Sequence, residues 1–204
     1  PPGHQRPGLA RTKRTHYRIA MPVFILQNKD KDLSTIGLVI TLASIMMLFS
    51  TLISSFYVLK IRMMGQLTLP NIIIQLGIAN TVILIISSIA FTFAGNMFRK
   101  NKLNNYSFWI LMTIIGGILF LIGQMYLWNK MTQLGIGITK GQLSDMFYLM
   151  SGAHGLHIIA GIVALIWLQS TSMKLTTNHR VNLVGLFWHF LGFLWFILFA
   201  VILF

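Results

Sequence analysis

Phe147-Tyr148-Leu149-Met150-Ser151-Gly152-Ala153-His154-Gly155-Leu156-His157 stands at the head of an apolar run, Leu143 to Leu168. Runs of this length are long enough to cross the hydrocarbon core of a bilayer, which takes about 20 residues of helix. His154 and His157 are three apart and share a helix face. Ser151 and Gly155, four apart, form a small-residue strip that admits a neighbouring backbone. A polar pair beside such a strip, inside lipid, points to function or to a tight protein contact.

Four more runs have the same character: Leu33 to Leu59, Leu69 to Ala94, Tyr106 to Trp128 and Val181 to Phe204. Ser34 and Thr35 are expected to cap the first, Pro70 to occupy the first turn of the second, and Ser144 and Asp145 to open the fourth. Alternation with period two is absent, which excludes a barrel. The expected fold is all-α, an integral membrane bundle of five transmembrane helices over residues 33–204. Residues 1–32 are expected to form a basic, largely irregular cytoplasmic tail, broken by Pro1, Pro2, Gly3, Pro7 and Gly8.

Composition agrees with this class. Only 9% of the 204 residues are charged, against about 25% in soluble domains. Cysteine is absent, which removes disulfides, thiolate metal sites and cysteine nucleophiles. The net charge of +13 would suggest nucleic acid in a soluble protein. Here the cations lie in the tail and between apolar runs, as topology determinants do, and no nucleic-acid partner is expected. An N-terminus inside the cell places twelve of the 16 Lys and Arg on the inner side and leaves Lys60, Arg62, Lys130 and Lys140 outside. The C-terminus is then outside.

The chemistry available is limited. Asp30, Asp32 and Asp145 are the three acidic residues, and none falls deep in a run, which argues against a proton-coupled transporter. Asp145 reads as a helix-start residue favoured by the dipole. His4, His16 and His179 read as solvated. His154 and His157 lie about 16 to 21 Å from the outer end of their helix, and His189 about 12 Å from the inner end of its own. Similar depths let the three face one another, either as haem b ligands or as hydrogen-bonded helix contacts. Both readings are open on spacing alone.

The run FYLMSGAHGLHIIAG, followed by FWHFLGFLWFILF, resembles subunit III of the haem–copper respiratory oxidases. The positions carrying it are Phe147, Tyr148, Ser151, Gly152, His154, Gly155, His157, Gly161, Trp188, His189, Phe190 and Trp195. Met47-Leu48-Phe49 with Ser54, Asn80-Thr81, Ser87-Ser88 and Gly123-Gln124 with Trp128 extend the likeness along all five helices, in the family's short form. Three positions depart from it. Ile45, Leu127 and Gly192 stand where the family carries two glutamates and an aspartate, so the proton-uptake role linked to the first glutamate does not carry over.

The resemblance implies a non-catalytic subunit with no cofactor or metal of its own. Haem and copper would sit in partner subunits, and phospholipid would be bound. The main partner would be subunit I, with subunit II, small subunits or a respiratory supercomplex around it. The complex would reduce oxygen with electrons from cytochrome c or quinol, in the cytoplasmic membrane of a bacterium rather than a mitochondrion. His154, His157, Trp188, His189, Tyr148 and Gln124 would make lipid or interhelical contacts, and Ser151, Gly152, Gly155 and Gly161 close packing. The competing reading is a stand-alone b-type cytochrome using His154, His157 and His189.

Overall fold

A computed structural model describes the backbone over residues 13–62, 70–137, 141–171 and 177–203, and side chains from residue 32 onward. Its elements are α1 (Lys13–Arg62), α2 (Asn71–Arg99), α3 (Leu103–Gln133), α4 (Gln142–Ser170) and α5 (Asn178–Leu203). Each contains a stretch long and apolar enough to cross a membrane. The five expected spans are therefore the five helices. Arg6, Arg11, Lys140 and Lys174, counted above in the charge bias, lie outside the described residues.

The chain divides at Ile40 into two units. In the first, helix extends back to Lys13, where an irregular tail was expected as far as residue 32. The five early breakers all precede Lys13, and Pro22 removes only one backbone donor from a segment otherwise compatible with helix. Ser34 and Thr35 lie inside that helix and do not cap it.

The second unit, Thr41–Phe204, holds the bundle. Pro70 precedes α2 as its N-cap (φ −58°, ψ 144°) and its carbonyl accepts from the amide of Ile73 at 2.9 Å. The α2–α3 connection is short because Asn101 takes a left-handed conformation (φ 56°). Its amide reaches the Phe98 carbonyl, and the Lys102 amide reaches Met97, both at 3.0 Å. This paired closure of orphan carbonyls is a Schellman motif, with asparagine where glycine is usual. The end of α3 repeats it with Gly135 (φ 79°), the Ile136 amide bonding Met131 at 2.9 Å and the Gly135 amide bonding Thr132 at 3.1 Å. Abrupt ends make neighbours antiparallel. In consequence α2 packs on α3, α3 on α4, α4 on α5 and α5 back on α2.

The Thr41–Arg62 part of α1 joins this ring through the buried side chains of Ile45, Phe49 and Phe56. Lys60 donates to the Val201 carbonyl at 3.5 Å, one of the orphan acceptors in the last turn of α5. The C-terminal ends of α1 and α5 thus lie at one end of the bundle. Arg99, Lys100, Lys102 and Arg180 lie at the other, where α2 and α4 end and α3 and α5 begin.

Candidate functional site

Trp188 is buried within the bundle. Its indole occupies a slot between Gly117 of α3 and Gly161 of α4. A Cβ at Gly117 would come 2.8 Å from Cη2 of that ring, and one at Gly161 3.0 Å from its Cε3 and Cζ3. Gly161 thus leaves no room for a side chain against the Trp188 ring. Gly117 escaped the sequence reading, although a doubled glycine, Gly116-Gly117, inside an apolar helix is a signal of close approach. Gly185 escaped it too, and a Cβ there would run into the Phe91 ring. Gly152 and Gly155 have looser surroundings. Added carbons would meet only Trp128 at 3.5 Å and Leu121 at 3.9 Å, because these glycines face long side chains rather than a backbone.

His154 is 0% exposed. It is enclosed by the rings of Trp195, Phe120 and Phe49, with centroids at 5.2, 5.8 and 6.3 Å. Among the described residues neither ring nitrogen has a hydrogen-bond partner, so the contact His154 makes with other helices is one of ring packing. Three aromatic neighbours occupy the approaches; Phe120 and Phe49 meet the imidazole edge-on, while the Trp195 ring lies tilted at 31° to it. His157 turns its Nδ1 to the Ala153 carbonyl of its own helix at 2.7 Å and touches Phe49 from the other side at 5.6 Å.

His189 stands apart from this pair. It is exposed, pairs through Nδ1 with the Ser88 hydroxyl at 2.5 Å, and meets Phe91 edge-on. His189 is thus engaged with residues of α2, and His154 and His157 with Phe49 of α1; among the described residues no group of three or more His, Cys, Asp or Glu is placed to hold a metal. His179, read as solvated, falls in the first turn of α5.

The remaining polar side chains join helices. Tyr148 of α4 donates to the Ile136 carbonyl at 3.2 Å, and the Trp128 carbonyl lies 3.3 Å from the same hydroxyl. The Trp128 indole N–H donates to Ser151 Oγ at 3.1 Å, while Ser151 donates to the Phe147 carbonyl at 2.8 Å. Between α2 and α3, Asn80 donates to the buried Gln124 at 3.4 Å, and Ser87 to the Thr113 carbonyl at 2.9 Å. Gln169 and Ser107 join α4 to α3. The Trp195 indole N–H donates to Thr81 at 3.1 Å, joining α5 to α2. Ser144 donates to the Gly141 carbonyl at 2.8 Å and so does not cap backbone amides. In hydrocarbon such bonds hold helices together at roughly 0.6 to 2 kcal/mol each.

The three departures named in the sequence, Ile45, Leu127 and Gly192, have defined places. Ile45 and Leu127 are buried in the apolar core. Gly192 lines a cavity between α2 and α5.

A sequence profile described as cytochrome c oxidase subunit III matches residues 29–204. The chain belongs to that family. As a subunit III-family chain it is 27% identical to a probable cytochrome c oxidase subunit 3 of Mycobacterium bovis, covering 85% of this chain and 88% of that one. It is 27% identical to a probable cytochrome c oxidase subunit 3 of Nocardia farcinica over 97% and 96% of the two chains. To the quinol oxidase subunit 3 of Bacillus subtilis it is again 27% identical, over 85% and 88%. Family membership makes this chain a membrane subunit of a terminal oxidase complex.

Proposed function

We propose that this chain is a non-catalytic subunit III that packs on the catalytic subunit I of a proton-pumping haem–copper oxidase, stabilises it and binds phospholipid. The supporting observation is that polar side chains of the helices are used in joining them. Tyr148, Ser151, Trp128, Gln124, Asn80 and His189 bond to one another, to backbone or to neighbouring helices. His154 is packed among rings. Ile45 and Leu127 carry carbon where a proton relay needs carboxylates. Equal similarity to a cytochrome c oxidase and a quinol oxidase subunit fits a chain that does not itself meet the electron donor.

The charge bias supports an N-terminus on the cytoplasmic side and a C-terminus outside. Bacterial relatives support the cytoplasmic membrane of a bacterium as the site of action. Subunit II and the smaller subunits would complete the complex, with haem and copper held outside this chain.

The test is a strain whose only copy carries His154→Ala or His157→Ala. The haem spectrum of the membranes is expected to be unchanged, while the yield of assembled oxidase, or the number of turnovers before inactivation, falls. Loss of a haem band in either variant would remove this reading and favour the cytochrome alternative.

A further inference from the structure

We propose that the outward side shared by α2 and α5 receives one transmembrane helix of a neighbouring subunit, which offers a hydrogen-bond acceptor to His189 and, about two turns away, a carboxylate to Arg99. The proposal rests on the reading above, in which the chain works inside an oxidase complex. The two helices leave a groove along this side. A cavity of about 250 Å³, lined by Thr81, Ser88, Ile89, Phe193 and Phe196 among others, ends at His189. A second, of about 350 Å³, runs from His189 past Thr92, Asn96 and Asn182 to Arg99.

His189 decides the kind of occupant. It is exposed and lies about 12 Å along the α5 axis from Val181, inside a helix long and apolar enough to cross a membrane. Its Nδ1 meets the Ser88 hydroxyl at 2.5 Å. That hydroxyl makes no other bond among the described residues, so its proton is used only when it is donated to Nδ1. The imidazole proton then sits on Nε2, on the far side of the ring from that bond. A polar N–H at this depth needs an acceptor, and polar residues within membrane spans face protein rather than hydrocarbon. An acyl chain offers no acceptor, whereas a helix offers a side-chain oxygen. Thr92 and Asn96, one and two turns nearer Arg99, are exposed as well, so a polar stripe continues from Ser88 to Arg99 at helical spacing.

Charge sets the second contact. Arg99 is exposed, and one guanidinium nitrogen donates to the Asn182 side chain at 3.0 Å. This orients the planar fork while its other donors remain suited to a carboxylate. Lys100 and Lys102 are exposed at the same end. The single carboxylate of residues 41–204, Asp145, lies in the first turn of α4 at the opposite end. The bundle therefore supplies this end with no carboxylate of its own. Asn182 and His189 are seven residues apart on α5, about 10 Å of rise. A helix packed along α5 thus carries its acceptor and its carboxylate seven residues apart, on one face. Room for it exists, since a Cβ at Gly95 or Gly192 would have no atom within 4 Å and a neighbouring backbone can come close there.

The experiment uses native membranes that hold the whole complex. A photo-crosslinking amino acid replaces Thr92 or Phe193, two exposed residues of the groove, and the linked peptides are mapped by mass spectrometry. Both positions are expected to join the same oxidase polypeptide, within an apolar segment of about 20 residues. That segment should carry an acidic side chain and a second oxygen-bearing one seven residues apart. His189→Leu should lower the adduct yield at Thr92 roughly threefold or more, and His189→Gln, which keeps an N–H donor, should restore most of it. Adducts with lipid alone, with two different polypeptides, or with a segment lacking that pair overturn the proposal, as do equal yields in the Leu and Gln variants. A chain that neither links to an oxidase subunit nor copurifies with one overturns the underlying reading too. Copurification without the expected adducts overturns the helix site alone.

Discussion

His154 shows how a polar residue can serve as an apolar one. Its ring fills the space between Trp195, Phe120 and Phe49, and its nitrogens, with no partner among the described residues, cost desolvation energy of about 1 to 3 kcal/mol. Shape should therefore matter more than protons here. His154→Phe is expected to leave thermal stability of the purified complex unchanged or raise it, while His154→Ala lowers it through the cavity it leaves. Equal losses in both variants would show that the nitrogens carry a role this packing does not explain. The glycines separate in the same way. Gly117→Ala presses on the Trp188 ring and should destabilise by about 1 to 3 kcal/mol, whereas Gly152→Ala, with ordinary contact distances, should stay within about 0.5 kcal/mol. Melting curves of the two variants side by side decide the point.

At the scale of elements, the spans were legible in the sequence because lipid demands long unbroken apolar runs and loops collect the cations. The partners of each helix were not. A soluble helix advertises its buried face by a polar opposite face, but lipid-facing helices are apolar all round. Nothing in the spacing of Phe49, Phe120 and Trp195 announced that they would meet on one histidine. The His154–His157 pair was visible as a shared face, yet the departure of His189 toward Ser88 depends on the rotation of α5. Helix ends were legible in part. Gly135 sits at a left-handed α3 terminus, so Gly135→Ala should cost roughly 1 to 2 kcal/mol. Tyr148→Phe, which deletes the hydroxyl that holds the Ile136 carbonyl beyond that terminus, should cost about 1 kcal/mol. Faster amide exchange confined to residues 128–137 in either variant is the expected signature, and uniform exchange along α4 would contradict it.

For the whole molecule, the ring of α2 to α5 and the Thr41–Arg62 part of α1 form a scaffold whose interior holds aromatic rings, glycine slots and helix-joining hydrogen bonds. The family resemblance was legible because His154, His157, Trp188 and His189 stand in fixed order. The cavity between α2 and α5 was not, since it arises from where Gly192 leaves room beside a neighbouring helix. A scaffold of this kind has its effect through what it holds. The most direct measurement is therefore a tagged purification of the full chain from native membranes in mild detergent, with every accompanying subunit identified and the absorption spectrum recorded. Recovery of a large haem–copper subunit with its copper-carrying partner is the predicted result. Recovery of this chain alone, with stoichiometric haem b, would contradict the account and return His154, His157 and His189 to candidacy as ligands.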